Sequence, residues 1–389
     1  MSTGSLLVEG WRHIPHSYAI VNQFQCLEMA GRPGLRLAHR DVPHPDIWKA
    51  EEGLFEPEMD VAIRAIPAPE PGESFDAVLR MGFPYDYSPS PARRTLVFGT
   101  AEWRTLSRLN IVGQEEVHVA VTRSDVLMVT PSQWSRDGYI ESGVPEDRVF
   151  CVPHGVHPSL HHPLSAEERA ELRRRFGWDG FVFLAVGGMT ANKGLDLTLK
   201  AFATVLERHP DALLFVKGLD TMYGSQDKLL ASIRGLTDQE RERVRPRLRY
   251  TGKSLPFRLM ARLYQAADAY VSPYRGEGFN MPVLEAVACG LPVICTAGGS
   301  TDDFTTPDFA LRIESRIEPF VPYPQVPDIK GWALRPDPDH LLALMTQVIE
   351  RSEFREQARR AGPAFVANGF TWRHAVDRLL DVAFAGEAL

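Results

Sequence analysis

The stretch AYVSPYRGEGFNMPVLEAVACGLPVICT, residues 269–296, decides the fold. It opens with the apolar run AYVSP (269–273) and closes with LPVICT (291–296), and between them MPVLEAVACG (281–290) reads as a short helix ended by Gly290. Strands buried on both faces read as unbroken apolar runs, so strand, helix and strand in so short a span point to a parallel sheet. Two acids, Glu277 and Glu285, stand at the mouth of this crossing. A carboxylate beside an apolar core is costly unless it is paired or hydrogen-bonded. Either both lie at the surface, or the fold has a use for them.

Outward from this stretch the alternation continues. FVFLAVGG (181–188) is a strand ending in two glycines, and in the segment after it Leu195, Leu199, Phe202, Val205 and Leu206 recur at helical spacing before Pro210. ALLFVKG (212–218) and RLRYTG (247–252) are further strands, and LPFRLMARLYQAAD (255–268) is helical. Strands alternating with helices define an open, doubly wound α/β layer. The first half repeats the grammar less clearly, with short strands expected at GLRLAHR (34–40), DVAIRAI (60–66), DAVLRMG (76–82), RRTLVFGT (93–100) and DVLMVTP (125–131). At 389 residues the chain exceeds what one core serves. VFCVPHGVHPSLHHP (149–163) loses periodicity, which puts the linker there and predicts domains over 1–157 and 158–370. One helix from about 338 to 368 and a terminal one over 371–384 close the chain.

Composition narrows the function. With 44% hydrophobic and 24% charged residues and a net charge of −7, the chain is an ordinary soluble type lacking the basic footprint of a nucleic-acid binder. RERVRPRLR (241–249) reads as a solvated helix end and turn, with a membrane-surface or acidic-partner patch as the other reading. No run has the length of a membrane-spanning helix, and the N-terminus lacks the features of a signal peptide. Cys26, Cys151, Cys289 and Cys295 show neither metal-ligand spacing nor a disulfide framework, which suits a reducing cytoplasm.

No G-x-G-x-x-G follows a strand and no Walker A sequence occurs, which argues against a dehydrogenase or P-loop enzyme. Two phosphate-type turns remain. In GGMTANKG (187–194), Gly187 and Gly188 let the backbone approach a ligand, and Lys193 stands by a helix start whose amides favour an anion; a plain tight turn is the alternative. In the other, Glu277 follows a strand at its carboxyl end, where ligands of open α/β sheets collect. The amides from Phe279 to Leu284 then face an anion while Glu285 reaches a second part of the same ligand. Carboxylates accept from vicinal hydroxyls, so two acids around an amide-lined phosphate pocket suggest a nucleotide sugar.

These residues carry a resemblance. VTPSQWSRDGYIESGVPEDRVFCVPHGVH, VGGMTANKGLDLTLKAF, the block from RYTGKS through ICTAGGS, and the closing FTW resemble the GT-B glycosyltransferases of family 4, over roughly residues 125–385. The resemblance implies two Rossmann-like domains facing each other across a cleft, with the last helix (371–389) packing back on the first. It implies that Glu285 binds the ribose and Glu277 the transferred sugar. The loop of Gly278, Phe279, Asn280, Met281 and Leu284 would hold the donor phosphates, and Lys193 would neutralise the departing diphosphate. No metal or cofactor is then required, because a fixed cation lowers the barrier to breaking the anomeric bond.

Three departures stand out. The family carries an arginine where this chain has Gly188, so either another basic group such as Lys253 reaches the phosphates or donor binding is weaker. The glycine-rich turn after the first strand is replaced by a segment in which Gly10, His16 and Ser17 line the acceptor side or cap a helix, Ser17 being a sound N-cap. The histidine the family has after an N-domain strand is absent; Glu102 or Thr100 takes its place or is an exposed loop residue, and His154 and His157 fix the hinge.

The expected function is a retaining glycosyltransferase moving sugar from a UDP- or GDP-sugar to a hydroxyl of a glycan or other acceptor, in polysaccharide or glycoconjugate synthesis. Its expected place is the cytoplasm, with peripheral association at the inner face of the membrane as a further expectation. A sugar-nucleotide epimerase or hydrolase of the same fold is one alternative. A non-catalytic nucleotide- or glycan-binding module is the other. Base, sugar, acceptor and oligomeric state are not legible in the sequence.

Overall fold

The computed structural model describes residues 4–385. The chain forms two compact units, one comprising residues to Gly155 together with Phe320–Trp332 and the chain from Phe370, the other Val156–Pro319 and Ala333–Gly369.

In the first unit the order is β1 (Gly4–Gly10), α1 (Ser17–Ala30), β2 (Leu35–Asp41), α2 (Pro57–Arg64), β3 (Ala77–Met81), β4 (Arg94–Phe98), α3 (Val117–Thr122), β5 (Leu127–Thr130), α4 (Gln133–Glu141) and β6 (Val149–Cys151). Its sheet is parallel, in the order β2-β1-β3-β4-β5-β6. The expected strand at 60–66 is instead α2. Pro57 opens it, Glu58 and Asp60 favour its N-terminus, and of its residues only Ile63 is buried, so the apparent alternation of apolar residues never meets a sheet.

The second unit begins with α5 (Ala166–Phe176), β7 (Val182–Val186), α6 (Leu195–Arg208), β8 (Leu213–Lys217), α7 (Asp220–Tyr223), α8 (Ser225–Arg234), α9 (Asp238–Val244) and β9 (Leu248–Thr251). It continues with α10 (Phe257–Ala266), β10 (Ala269–Ser272), α11 (Met281–Ala288), β11 (Val293–Thr296), β12 (Ala310–Ile313), β13 (Ser315–Phe320), β14 (Gly331–Pro336), α12 (Pro338–Glu350) and α13 (Ser352–Ala367). The main sheet is again parallel, ordered β12-β11-β10-β7-β8-β9, while β13 and β14 pair separately. Helix α6 buries Leu195, Leu199, Phe202, Val205 and Leu206 in the core shared with β7, β8 and α12, so its apolar stripe does what the spacing predicts. The single helix expected over 338–368 is two, α12 and α13, broken at Arg351.

The last helix, α14 (Trp372–Ala383), belongs to the first unit. Trp372 stacks on Phe24 of α1 with ring centroids 5.5 Å apart, and Arg32 pairs with Asp377 at 2.7 Å.

Strand order decides where a ligand goes. In the second sheet the chain starts at β7, runs outward through β8 and β9, then returns to β10 on the other side of β7. The crevice at such a reversal, outside the carboxyl ends of the strands, is the usual ligand position. The loops leaving β7 and β10 are those of Lys193 and Glu277.

Candidate functional site

The two loops are stitched together. Asn192, buried, donates from Nδ2 to the carbonyl of Gly276 at 2.9 Å, and the amide of Arg275 returns a bond to the carbonyl of Asn192 at 2.6 Å. The Arg275 guanidinium holds Asp196 through two bonds of 2.9 and 2.7 Å and the carbonyl of Ala191 at 2.8 Å. Gly194 has φ +67°, and a Cβ there would lie 2.0 Å from the carbonyl oxygen of Pro273, so only glycine allows this approach. The consequence is the ion pair at the centre: the Lys193 ammonium donates to Oε1 of Glu277, whose side chain is only 6% exposed.

After Glu277 the chain turns through Asn280, which has φ 76°, into α11, with Pro282 in the first turn. The Asn280 side chain donates to Ser272 Oγ at 2.9 Å, which fixes that turn to the end of β10. Gly278 is buried, Phe279 packs on Phe304 with centroids 4.6 Å apart, and Leu284 is fully buried. What Phe279 and Leu284 can offer a ligand is therefore backbone, while Met281 is partly exposed at the first position of the helix.

Glu285 lies one turn into α11, its side chain 19% exposed. The buried Tyr264 hydroxyl donates to Oε2 at 2.6 Å, and His161 Nε2 stands 3.9 Å from Oε1. Burial pushes the carboxyl up to about 7, with the Tyr264 hydrogen bond acting in the opposite direction. Burial also lowers His161 to about 3, so its ring is neutral near pH 7. Tyr270, whose hydroxyl donates to the Val186 carbonyl at 3.2 Å, is raised well above the usual phenol range by burial and then by the charges of Glu277 and Glu285.

At Gly188 a Cβ would meet Cγ of Tyr223 at 2.9 Å, so the tyrosine ring lies flat over this glycine. A Cβ on Gly187, which has φ +154°, would meet the methylenes of Lys193 at ordinary contact distance. Lys253 is exposed just beyond β9, at the edge of the sheet and two strands away from β7. Sequence reasoning passed over a nearer cation: Lys217 ends β8 in register with Val186, is 6% exposed, and donates to the carbonyl of Gly218. A lysine closing an otherwise apolar run was the signal.

In the first unit the expected acceptor-side residues divide. Gly10 is buried, and a Cβ there would lie 2.8 Å from Nδ2 of Asn22, so its role is to let α1 approach β1. His16 is the N-cap of α1, accepting from the Tyr18 amide at 3.1 Å and stacking on Trp48 at 4.8 Å; burial lowers its pKa to about 4. Ser17 is the exposed first residue of the helix and not its cap. Glu102 is exposed, and its carbonyl accepts from Trp134 Nε1 at 3.0 Å. Thr100 joins a hydroxyl cluster that the sequence did not announce, in which Tyr18 and Tyr85 are 2.8 Å apart and Tyr18 lies 3.1 Å from Thr100 Oγ1. His154 is buried between Phe98 and Trp372, while His157 Nδ1 lies 2.8 Å from Ser159 Oγ.

Among the described residues no group of three or more His, Cys, Asp or Glu side chains is placed to hold a metal ion, and no helix is long and apolar enough to cross a membrane.

Two doubly wound parallel sheets, one carrying a lysine–carboxylate pair at its point of reversal, form the GT-B glycosyltransferase fold. HepE of Anabaena, solved with UDP and glucose, shares it with a TM-score of 0.68 and 14% identity over 98% of this chain and 99% of its own. Sucrose-phosphate synthase of Thermosynechococcus elongatus shares it at 0.67 with 16% identity over 97% and 98% of the two chains. Residues 180–309 match the family model described as Glycosyl transferases group 1. Mannosylfructose-phosphate synthase of Agrobacterium fabrum is 31% identical over 48% of this chain and 40% of its own length. D-inositol 3-phosphate glycosyltransferase 1 of Catenulispora acidiphila is 30% identical over 70% and 59%. The chain spans about half the length of these curated relatives.

Proposed function

We propose that the protein is a retaining glycosyltransferase that takes a sugar from a nucleoside diphosphate sugar and gives it to a hydroxyl of a glycan or other acceptor. The observation that carries this reading is the Lys193–Glu277 pair at the sheet reversal, inside the stretch that matches the family. The diphosphate lies over the loop from Gly278 to Met281 and the start of α11, where the positive end of the helix dipole favours an anion. Lys193 leaves Glu277 to meet the charge growing on the departing phosphate oxygen, and Glu277 turns to the hydroxyls of the sugar. Removing one such fixed charge typically costs a factor of about 10²–10³ in rate.

In this reading the bond from the anomeric carbon to the phosphate oxygen breaks while the acceptor oxygen bonds to the same face. The acceptor proton passes to a phosphate oxygen, so no separate protein base is needed. Glu285 accepts from the ribose hydroxyls. UDP- and GDP-sugars are the donors of choice, a reading supported by the UDP and glucose held by the structurally similar HepE. The four free cysteines fit a cytoplasmic location. Polysaccharide or glycoconjugate synthesis, with attachment at the inner face of the membrane, completes the proposal.

Thermal unfolding with UDP, GDP, ADP and TDP tests it. A ligand at a hundred times its dissociation constant adds about 2.7 kcal/mol to the stability of a folded state it binds exclusively. A shift with one base that is lost in Glu285→Ala is expected. No shift with any of the four overturns the donor reading, and release of free sugar without an acceptor favours a hydrolase.

A further inference from the structure

Glu285 has a neighbour that its expected role does not use. One carboxylate oxygen, Oε2, is occupied by the Tyr264 hydroxyl at 2.6 Å. The other, Oε1, faces Nε2 of His161 across 3.9 Å, too far for a hydrogen bond. His161 is 8% exposed, its Nδ1 is buried, and its ring meets the edge of Tyr264 with centroids 6.2 Å apart. Its chain position is fixed as well, because its amide donates to the His157 carbonyl at 2.9 Å. Gln265 of α10 bonds the carbonyls of Leu160 and His162, on either side of it, at 3.2 and 2.9 Å. The imidazole is thus held beside the carboxylate without being bonded to it.

Such a pair suits two adjacent hydroxyls. A carboxylate oxygen only accepts, whereas a neutral imidazole nitrogen bonds a hydroxyl as donor or as acceptor according to its tautomer. We propose that His161 is a specificity-determining residue of the donor site: Nε2 takes one hydroxyl of the ribose diol of a nucleoside diphosphate while Oε1 of Glu285 accepts from the other. Tyr264 fixes Oε2 and so aims Oε1. This inference rests on the ribose role given to Glu285 above.

The test is calorimetric titration with UDP, GDP and ADP and with the 2′,3′-dideoxy form of each. The unaltered protein should prefer the ribose form of its nucleotide by tenfold or more. In His161→Phe the dideoxy affinity should stay constant while that preference falls about tenfold, and His161→Gln, which keeps a polar group, should retain part of it. A full preference in His161→Phe, or an equal loss for both forms, overturns the role of His161. Equal binding of ribose and dideoxy forms by the unaltered protein overturns the ribose role of Glu285 as well. Failure of every nucleotide to bind it removes the donor reading itself.

Discussion

The Lys193 ammonium rests on the Glu277 carboxylate, although the two residues are 84 positions apart in the chain. Lys193→Ala leaves an almost fully buried carboxylate without this partner. Breaking a fully buried pair costs about 3–5 kcal/mol, and the 26% exposure of the lysine side chain reduces this to about 2–3 kcal/mol. The double variant Lys193→Ala/Glu277→Ala should recover part of the loss, because no charge remains stranded. Urea unfolding of the singles and the double gives the coupling directly. In turnover assays Glu277→Ala should lose on the order of 10²-fold in kcat; full activity would remove the assignment.

Glu285 makes stability and binding depend on pH in opposite ways. Its folded-state value of about 7 lies above the ordinary 4.5. The group's contribution to folding is therefore fully present below pH 4.5 and is lost as pH rises through 7. The total is at most about 3 kcal/mol. The ionised carboxylate is the better acceptor for ribose hydroxyls, so nucleotide affinity should rise over the same interval. Glu285→Gln should flatten both profiles between pH 5 and 8 in thermal melts and titrations, and unchanged profiles would contradict the assignment.

The ring of Tyr223 over Gly188 predicts an asymmetric pair of effects. Gly188→Arg should lower stability by about 1–3 kcal/mol, because its Cβ meets ring carbons close to the Tyr223 backbone that cannot swing away. Adding Tyr223→Ala should restore most of that loss and let the new guanidinium reach an anion. A tighter UDP or GDP complex in the double variant, measured calorimetrically, is the expected result.

Two glycines with positive φ should behave differently. Gly34→Ala, at φ +81° with nothing within 4 Å, should cost only about 1 kcal/mol of backbone strain. Gly194→Ala adds a collision with the Pro273 carbonyl, so a loss of about 3 kcal/mol or more is expected, together with weaker nucleotide binding. Equal melting temperatures for the two variants would show that the loop contact is not rigid.

The sequence carried the second sheet well, because each of its central strands is an unbroken apolar run between a glycine or proline and a helical stripe. Glu277, Lys193 and Glu285 were legible for a related reason: polar residues at strand ends stand out against such runs. What escaped was whatever depends on the third dimension. The hydroxyl cluster of Tyr18, Tyr85 and Thr100 draws on three separate segments, and no local pattern joins them. His161 stands in an irregular stretch with no periodicity to mark it, beside a glutamate 124 positions later (285 − 161). Helix α2 is misread because its few apolar residues alternate by chance, and β13 leaves no signal because none of its residues is buried.

The seat of α14 has a consequence for synthesis. Arg32, just past the end of α1, bonds the carbonyl of Arg373, 341 positions later. At about 5–20 residues per second, Arg373 is made roughly 20–70 s after Arg32. Through that interval the side of Phe24 on which Trp372 finally stacks stays uncovered, so the nascent first unit presents apolar surface that a ribosome-associated chaperone is suited to shield.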